Sequence, residues 1–107
     1  MKKNICVVVN SRANYARIKT LLYKINKSKN LTLQLILGAS GTLSRFGDLE
    51  RIILKDGFKI TRKIYSIIEG ENLETMAKST GLGIIELSSI FSDIKPNFVM
   101  VIADRFE

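Results

Sequence analysis

The sequence predicts an α/β fold, with a Rossmann-like parallel sheet in the strand order 3-2-1-4. Two short, uninterrupted apolar runs, Ile5–Val9 and Phe98–Ala103, are typical of strands buried on both faces of a parallel sheet. Segments with helical spacing of apolar residues separate the extended segments, and the connections are short. This βαβαβαβ alternation indicates a parallel sheet.

The first half of the chain is predicted to supply two strands and two helices. Ile5–Val9 is the first strand, and residues 15–27 form a helix because their apolar side chains recur at helical spacing. Leu31–Leu37 is the second strand. A Gly/Ser-rich loop at 38–45 precedes a second helix, which ends at Asp56-Gly57.

The third extended segment, Phe58–Ile68, is assigned to an outer edge of the sheet. Arg62 and Lys63 lie in its middle, and a central strand would not tolerate these charges. At an edge they discourage pairing with another chain. The charged strand therefore becomes the outermost one in the order 3-2-1-4.

The last part of the chain is predicted to be a long helix followed by a fully buried strand. Residues 71–95 are mostly helical, although Gly81 and Gly83 mark a break or a close approach to a strand. Pro96 ends the helix, and Phe98–Ala103 forms the fourth strand. We expect this strand to have an uncovered outer side, because no further element follows it.

The topology places a ligand site where the winding reverses, beyond the carboxyl ends of the first and fourth strands. Polar residues follow both strands, and Arg12 and Arg105 among them are suited to bind a phosphate or diphosphate. Free N–H groups at the start of the helix near Asn14 add to such an anion site. The alternative is that both arginines are ordinary surface residues.

Asp104 and Glu107 form a carboxylate pair on the loop after the fourth strand. One interpretation is proton transfer beside the arginines. The other is a helix N-cap, with Asp104 capping and Glu107 completing a box three residues later. Spacing alone leaves both open. The glycine-rich loop after the second strand lacks a phosphate-binding fingerprint, so a structural turn is favoured there.

Composition excludes several classes of site. The chain has no histidine, which removes His-based triads and His metal sites, and no metal-ligand spacing is present. Its one cysteine, Cys6, lies in an apolar strand and is predicted to be a core residue. No cofactor is expected.

Three features predict a cytoplasmic protein without a membrane partner. The chain has a single cysteine, it has no apolar run long enough to span a membrane, and its N-terminal apolar stretch is too short for a secretory signal. The net charge of +7 leaves a basic nucleic-acid-binding module as an alternative class. The sequence offers no recognition motif for it, and no nucleic-acid partner is expected.

Several short motifs together resemble the hydrolysing UDP-N-acetylglucosamine 2-epimerase family. Ser11–Tyr15 resembles the family's SRA(D/E)Y signature, and Ala103–Glu107 resembles its (G/A)DR(F/Y)(E/D) motif. The resemblance extends over essentially the whole chain. The matches between these two motifs are Gly38, Phe46-Gly47-Asp48, Lys55-Asp56-Gly57-Phe58, Glu69-Gly70-Glu71, Met76, Gly81-Leu82 and Lys95-Pro96.

The resemblance implies a GT-B enzyme of two Rossmann-like domains, of which residues 1–107 are an incomplete N-terminal domain and the C-terminal UDP-binding domain is absent. It also implies a UDP-sugar substrate, hydrolysed to the 2-epimeric free sugar and UDP for sialic or related nonulosonic acid synthesis. Full-length relatives are commonly homo-oligomers.

By position, the resemblance assigns Asp104 and Glu107 to catalysis. It assigns four residues to substrate binding, namely Ser11, Arg12, Asn14 and Arg105. Arg12 would contact the diphosphate. Asn14 departs from the family's Asp or Glu, and Ala39-Ser40 replace a histidine-containing turn. The chain by itself is predicted to be inactive, because residues of a cooperating catalytic set lie beyond it. Part of a GT-B glycosyltransferase is the alternative enzyme.

Overall fold

The computed structural model describes residues 2–38, 48–68, 70 and 72–102. In these residues strands and helices alternate along the chain, as the apolar pattern predicts. The elements are β1 (Lys3–Val9), α1 (Arg12–Lys27), β2 (Leu31–Leu37), α2 (Leu49–Lys55), β3 (Arg62–Lys63), α3 (Leu73–Ile94) and β4 (Phe98–Val101).

The four strands form one parallel sheet in the order β3-β2-β1-β4, which confirms the predicted fold class and topology. β1 pairs with β2 over its full length, so that Val9 lies opposite Leu37. On its other side Val8 lies opposite Val101 of β4. The carboxyl ends of all four strands therefore point toward one edge of the sheet.

Alternate side chains of the central strands enter two separate cores, one on each face of the sheet. On one face, the core is built with residues of α1 and α2, and its main members are Val7, Val9, Tyr15, Ile18, Leu22, Leu35, Leu37, Leu49, Ile53 and Phe58. On the other face, α3 packs on the sheet through a smaller core of Cys6, Val8, Ile36, Ile64 and Ile90. The prediction of Cys6 as a core residue is confirmed.

The predicted start of the first helix needed correction, for a local reason. α1 begins at Arg12 rather than residue 15, because the Ser11 side chain caps it by accepting from Asn14 N at 3.1 Å. α2 begins at Leu49, after Asp48 caps it through Arg51 N. The predicted start near Phe46 lies outside the described residues.

α3 continues through Gly81 and Gly83, so no break occurs at these glycines. Its first turn is held by a reciprocal capping box between Asn72 and Thr75. The alternative prediction, a close approach to a strand, is not confirmed either: an added Cβ meets nothing within 4 Å at Gly81 and makes only an ordinary contact at Gly83. A Cβ there would lie 3.8 Å from Ser66 Oγ, just beyond β3.

The two outer strands also differ from expectation. The third strand is at the predicted edge, but only Arg62 and Lys63 pair with β2. The prediction of a fully buried fourth strand was wrong: Phe98 is 63% and Val101 60% exposed. In the described part of the chain β4 pairs with β1 alone, so its outer edge is uncovered.

Candidate functional site

The residues that follow β1 and β2 meet at the carboxyl edge of the sheet. Gly38 N donates to Val9 O at 2.9 Å, which holds the two strands together beyond their last paired residues. A Cβ on Gly38 would lie 2.9 Å from Asn10 Oδ1, closer than real Cβ contacts. The absence of a side chain at Gly38 therefore lets Asn10 lie directly against the end of β2.

The N-terminus of α1 begins at this edge and is suited to an anion. Ser11 Oγ accepts from Asn14 N, which leaves the N–H groups of Arg12 and Ala13 without helical acceptors. The first turn carries no acidic residue that would offset the positive end of the helix dipole. Arg12 is exposed and makes no ion pair with any described residue. Its guanidinium is thus available to a phosphate.

Asn14, predicted to bind substrate, is the most buried polar side chain of this loop, at 2% exposure. Its Oδ1 accepts from Asn10 N at 3.1 Å, so it fixes the connection between β1 and α1. Its Nδ2 has no hydrogen-bond partner in the described part of the chain. A direct role of Asn14 toward a substrate stays a prediction.

Three of the predicted site residues, Asp104, Arg105 and Glu107, lie outside the described residues. The described chain reaches this region at Val101, which pairs in parallel with Val8 of β1. Their roles, and the alternative of a capping box, therefore stay predictions.

A small, partly enclosed cavity lies between the sheet and α3, with a volume of about 50 Å³. Asn10 and Gly38 border it at the strand ends, next to the start of α1. Ser66 borders it after β3, and Ser79 and Gly83 border it from α3. Sequence reasoning missed this cavity, since its walls come from four separate segments. Two of its lining residues, Gly38 and Gly83, were noted in the sequence as separate glycines.

A second group of interacting side chains, which we call the Tyr15 cluster, fixes α1 on the other face of the sheet. Tyr15 Oη donates to Asp56 Oδ2 at 2.5 Å, and Lys19 Nζ lies 3.0 Å from the same oxygen. Phe58 contacts Tyr15 edge-on, with ring centroids 6.4 Å apart, and lies 4.8 Å from the ring of Tyr23. These contacts tie the first turns of α1 to the turn after α2.

The Tyr15 cluster shifts the pKa of three of its members, Asp56, Tyr15 and Lys19. Hydrogen bonds from Tyr15 and Lys19 lower the pKa of Asp56. Burial first, and then the hydrogen bond to Asp56, raises the pKa of the Tyr15 hydroxyl. The hydrogen bond to Asp56 raises the pKa of Lys19. The charged carboxylate and the neutral phenol are therefore the favoured forms at neutral pH.

Tyr15 and Asp56 each belong to a motif that resembles the family, but the sequence did not predict the contact between them. A signal was present, because Tyr15, Lys19 and Tyr23 are spaced four apart and share one face of α1. Asp56 lies 41 residues from Tyr15 in the chain, which no local pattern connects.

Within the described ranges, no group of three or more His, Cys, Asp or Glu side chains is arranged to hold a metal ion. No helix in these ranges is long and apolar enough to cross a membrane.

Comparison with known proteins gives a consistent set of relatives. No protein-family model matches the chain. The chain is 33% identical over 106 residues to a GDP/UDP-N,N'-diacetylbacillosamine 2-epimerase (hydrolyzing) from Campylobacter jejuni, covering 99% of this chain and 27% of that enzyme. It is 26% identical over 107 residues to a UDP-N-acetylglucosamine 2-epimerase from Neisseria meningitidis, again covering 27% of the relative.

Solved structures agree on the fold. A UDP-N-acetylglucosamine 2-epimerase crystal structure superimposes with a TM-score of 0.80 at 20% identity, over 99% of this chain and 28% of that one. The Neisseria meningitidis UDP-GlcNAc 2-epimerase bound to UDP-GlcNAc gives a TM-score of 0.77 at 16% identity, over 96% and 26% of the two chains. Both neighbours have a GT-B fold.

The relatives and the structural neighbours point to the same enzymes, and each is matched along nearly all of this chain. The chain spans about a quarter of the length of the curated relatives it matches. The resemblance of this chain to part of the UDP-N-acetylglucosamine 2-epimerase family is thereby confirmed.

Proposed function

We propose that this chain is the N-terminal part of a hydrolysing 2-epimerase that acts on a UDP-linked 2-acetamido sugar. The observation that carries the proposal is the similarity, along 99% of the chain, to the hydrolysing 2-epimerase of Campylobacter jejuni. Residues 1–107 then form an incomplete N-terminal Rossmann-like domain, and the UDP-binding domain belongs to further sequence. Apolar side chains of β4, including Phe98 and Val101, are exposed, which supports the proposal that a further part of the protein packs on this strand.

A substrate with an acetamido group is supported by the names of the relatives. One acts on diacetylbacillosamine linked to GDP or UDP, and another on UDP-N-acetylglucosamine. The product would supply sialic or related nonulosonic acid synthesis. We expect the assembled enzyme to be a cytoplasmic homo-oligomer.

In this proposal α1 binds the diphosphate. The N–H groups of Arg12 and Ala13 would donate to its oxygens, and the Arg12 guanidinium would neutralise charge on the leaving UDP. Ser11 and Asn14 hold this end of the helix through the hydrogen bonds described above. We propose that Asn14 has two roles: it holds Asn10 in position before α1, and it contacts the substrate.

The chemistry is an elimination followed by a hydration. Asp104 is proposed to act in removing the C2 proton of the sugar, with Glu107 and Arg105 beside it. The electron pair of that C–H bond forms the C1–C2 double bond, and the C1–O bond breaks to release UDP. Water then adds across the double bond: its hydroxyl goes to C1, and C2 is protonated from the opposite face. The product is the 2-epimeric free sugar.

Binding of UDP to the purified 107-residue chain tests the first part of the proposal. The backbone amides of Ser11, Arg12 and Ala13 should shift in an NMR titration with UDP. Arg12→Gln should weaken binding about tenfold or more, because it removes a charge-assisted bidentate contact. Lys27→Gln is the matched control, since Lys27 lies in the last turn of the same helix. Equal losses in the two variants would contradict a diphosphate site at α1.

Two measurements test the fragment hypothesis. The isolated chain should release no UDP from UDP-N-acetylglucosamine above the uncatalysed rate, because further catalytic residues would be absent. In source cells, an antibody to this segment should detect a product about four times as long as this chain, since the matched residues are 27% of the relative. A cellular product of 107 residues, or UDP release by the isolated chain, would overturn the hypothesis.

A further inference from the structure

We propose that the cavity between the sheet and α3 is the subsite for the uncharged acetamido group of the sugar. This inference rests on the proposed function, which it deepens by assigning substrate selectivity to the following cavity residues: Asn10, Ser66, Ser79, Thr80 and Gly83.

The position of the cavity connects it to the proposed diphosphate site. Asn10 lines the cavity and is the residue directly before Ser11, the cap of α1. Its backbone N–H is held by Asn14 Oδ1, so the wall of the cavity and the start of α1 are one hydrogen-bonded unit. A nucleotide sugar with its diphosphate at α1 would therefore bring its sugar to this side of β1.

The chemistry of the walls suits a neutral polar group. The lining residues that the structure describes are all uncharged, and such walls favour a neutral group over a phosphate or a free amine. Ser79 is 3% exposed, and its Oγ accepts from Ile68 N at 2.8 Å. No described residue accepts the hydroxyl proton of Ser79, which can therefore donate to a carbonyl oxygen of a ligand. Apolar side chains of Val8, Ile64 and Leu87 line the cavity as well and suit a methyl group.

The size of the cavity matches one small substituent. Its volume of about 50 Å³ corresponds to roughly three to five water-sized positions. The amide and methyl of one acetamido group occupy about that space, whereas a whole sugar ring does not enter. The cavity would thus distinguish a 2-acetamido sugar from the corresponding sugar with a hydroxyl group.

Gly83 determines how much of this space is open. An added Cβ would point toward Ser66 Oγ at 3.8 Å, an ordinary contact distance, so alanine fits without distorting the helix. The added methyl would occupy part of the cavity. Gly81 lies two residues away in α3, and a Cβ there meets nothing within 4 Å. Gly81→Ala is therefore a matched control for Gly83→Ala.

The experiment titrates the isotope-labelled 107-residue chain and both variants with UDP, UDP-glucose, UDP-N-acetylglucosamine and free N-acetylglucosamine. In the wild type, UDP should shift amides at the start of α1 alone, and UDP-N-acetylglucosamine should also shift Ser66 and Gly83. UDP-glucose should bind about tenfold more weakly than UDP-N-acetylglucosamine. Gly83→Ala should abolish this preference without changing the affinity for UDP, and Gly81→Ala should preserve it.

Thermal unfolding separates loss of the subsite from loss of the fold. Both alanine variants should raise the midpoint by about 4–8 °C, because each removes a glycine from the middle of a helix. The subsite is refuted if neither acetamido ligand shifts Ser66 and Gly83, or if both alanine variants bind UDP-N-acetylglucosamine equally well. Shifts at these residues with N-acetylglucosamine, but none at α1 with UDP, would support the subsite and overturn the diphosphate site of the proposed function.

Discussion

Replacement of Phe58 by leucine tests how strongly the Tyr15 cluster fixes α1. Phe58 is 2% exposed and contacts the rings of both Tyr15 and Tyr23. Each aromatic pair contributes about 0.5–1.5 kcal/mol beyond area burial, so losing both costs about 1–3 kcal/mol. The change of shape in the core adds less than about 1.5 kcal/mol. We expect Phe58→Leu to lower the free energy of unfolding by about 1–4.5 kcal/mol in urea titrations.

Phe98→Leu provides the same substitution at a site without these contacts. Phe98 is 63% exposed on β4, so its loss should change the free energy of unfolding by about 0.5 kcal/mol or less. A double-mutant cycle of Phe58→Leu with Tyr23→Leu should give a coupling of about 0.5–1.5 kcal/mol. The reasoning would be refuted if Phe58→Leu and Phe98→Leu lowered the free energy of unfolding equally, or if the coupling between Phe58 and Tyr23 were near zero. Either result would mean that the ring contacts of Phe58 do not hold α1 in place.

Three further predictions concern stability and reactivity. Ser11→Ala should lower the free energy of unfolding by about 1 kcal/mol, because the N-cap of α1 is lost; an unchanged urea midpoint would contradict this. Because the pKa of Asp56 is lower in the folded chain, its stabilisation is present above the unfolded pKa and is lost as pH falls through the folded value. Asp56→Asn should therefore flatten the acid limb of a stability–pH curve, and an identical limb in both proteins would count against it. Burial raises the pKa of Cys6 to about 11, so the thiol should react with an aromatic disulfide reagent far more slowly in buffer than in urea.

The sheet could be predicted from sequence because apolar patterning reports burial directly. The continuous apolar run in β1 identified a central strand, and the charges of Arg62 and Lys63 identified an edge. The same reasoning failed for β4, whose apolar composition predicts burial on both faces while its outer side is uncovered in the described residues. An apolar composition shows that a strand is suited to burial, but it does not show whether neighbouring elements are present to bury it. Among the described residues, β4 has only β1 as a neighbouring strand.

The start of α1 shows why helix boundaries were harder to predict. Apolar spacing begins at Tyr15, but the helix begins at Arg12, because Ser11 supplies a cap that periodicity does not register. Ser11 and Asn14 were singled out through the motif resemblance, whereas their hydrogen bonds to each other and to Asn10 appear only in the structure. The motif thus assigned both residues to substrate binding, whereas their part in holding the start of α1 appears only in the structure.

Asn10 links the two proposed parts of the binding site and illustrates how small backbone features determine such sites. Its side chain can lie against the end of β2 because Gly38 has no Cβ. Its backbone N–H donates to Oδ1 of Asn14, a buried residue of α1. A side chain at residue 38 would displace the side chain of Asn10 and narrow the cavity. The backbone N–H of Asn10 would keep its hydrogen bond to Asn14, so the N-terminus of α1 would stay in place. The diphosphate site and the acetamido subsite should therefore respond separately to mutation, although they share one loop.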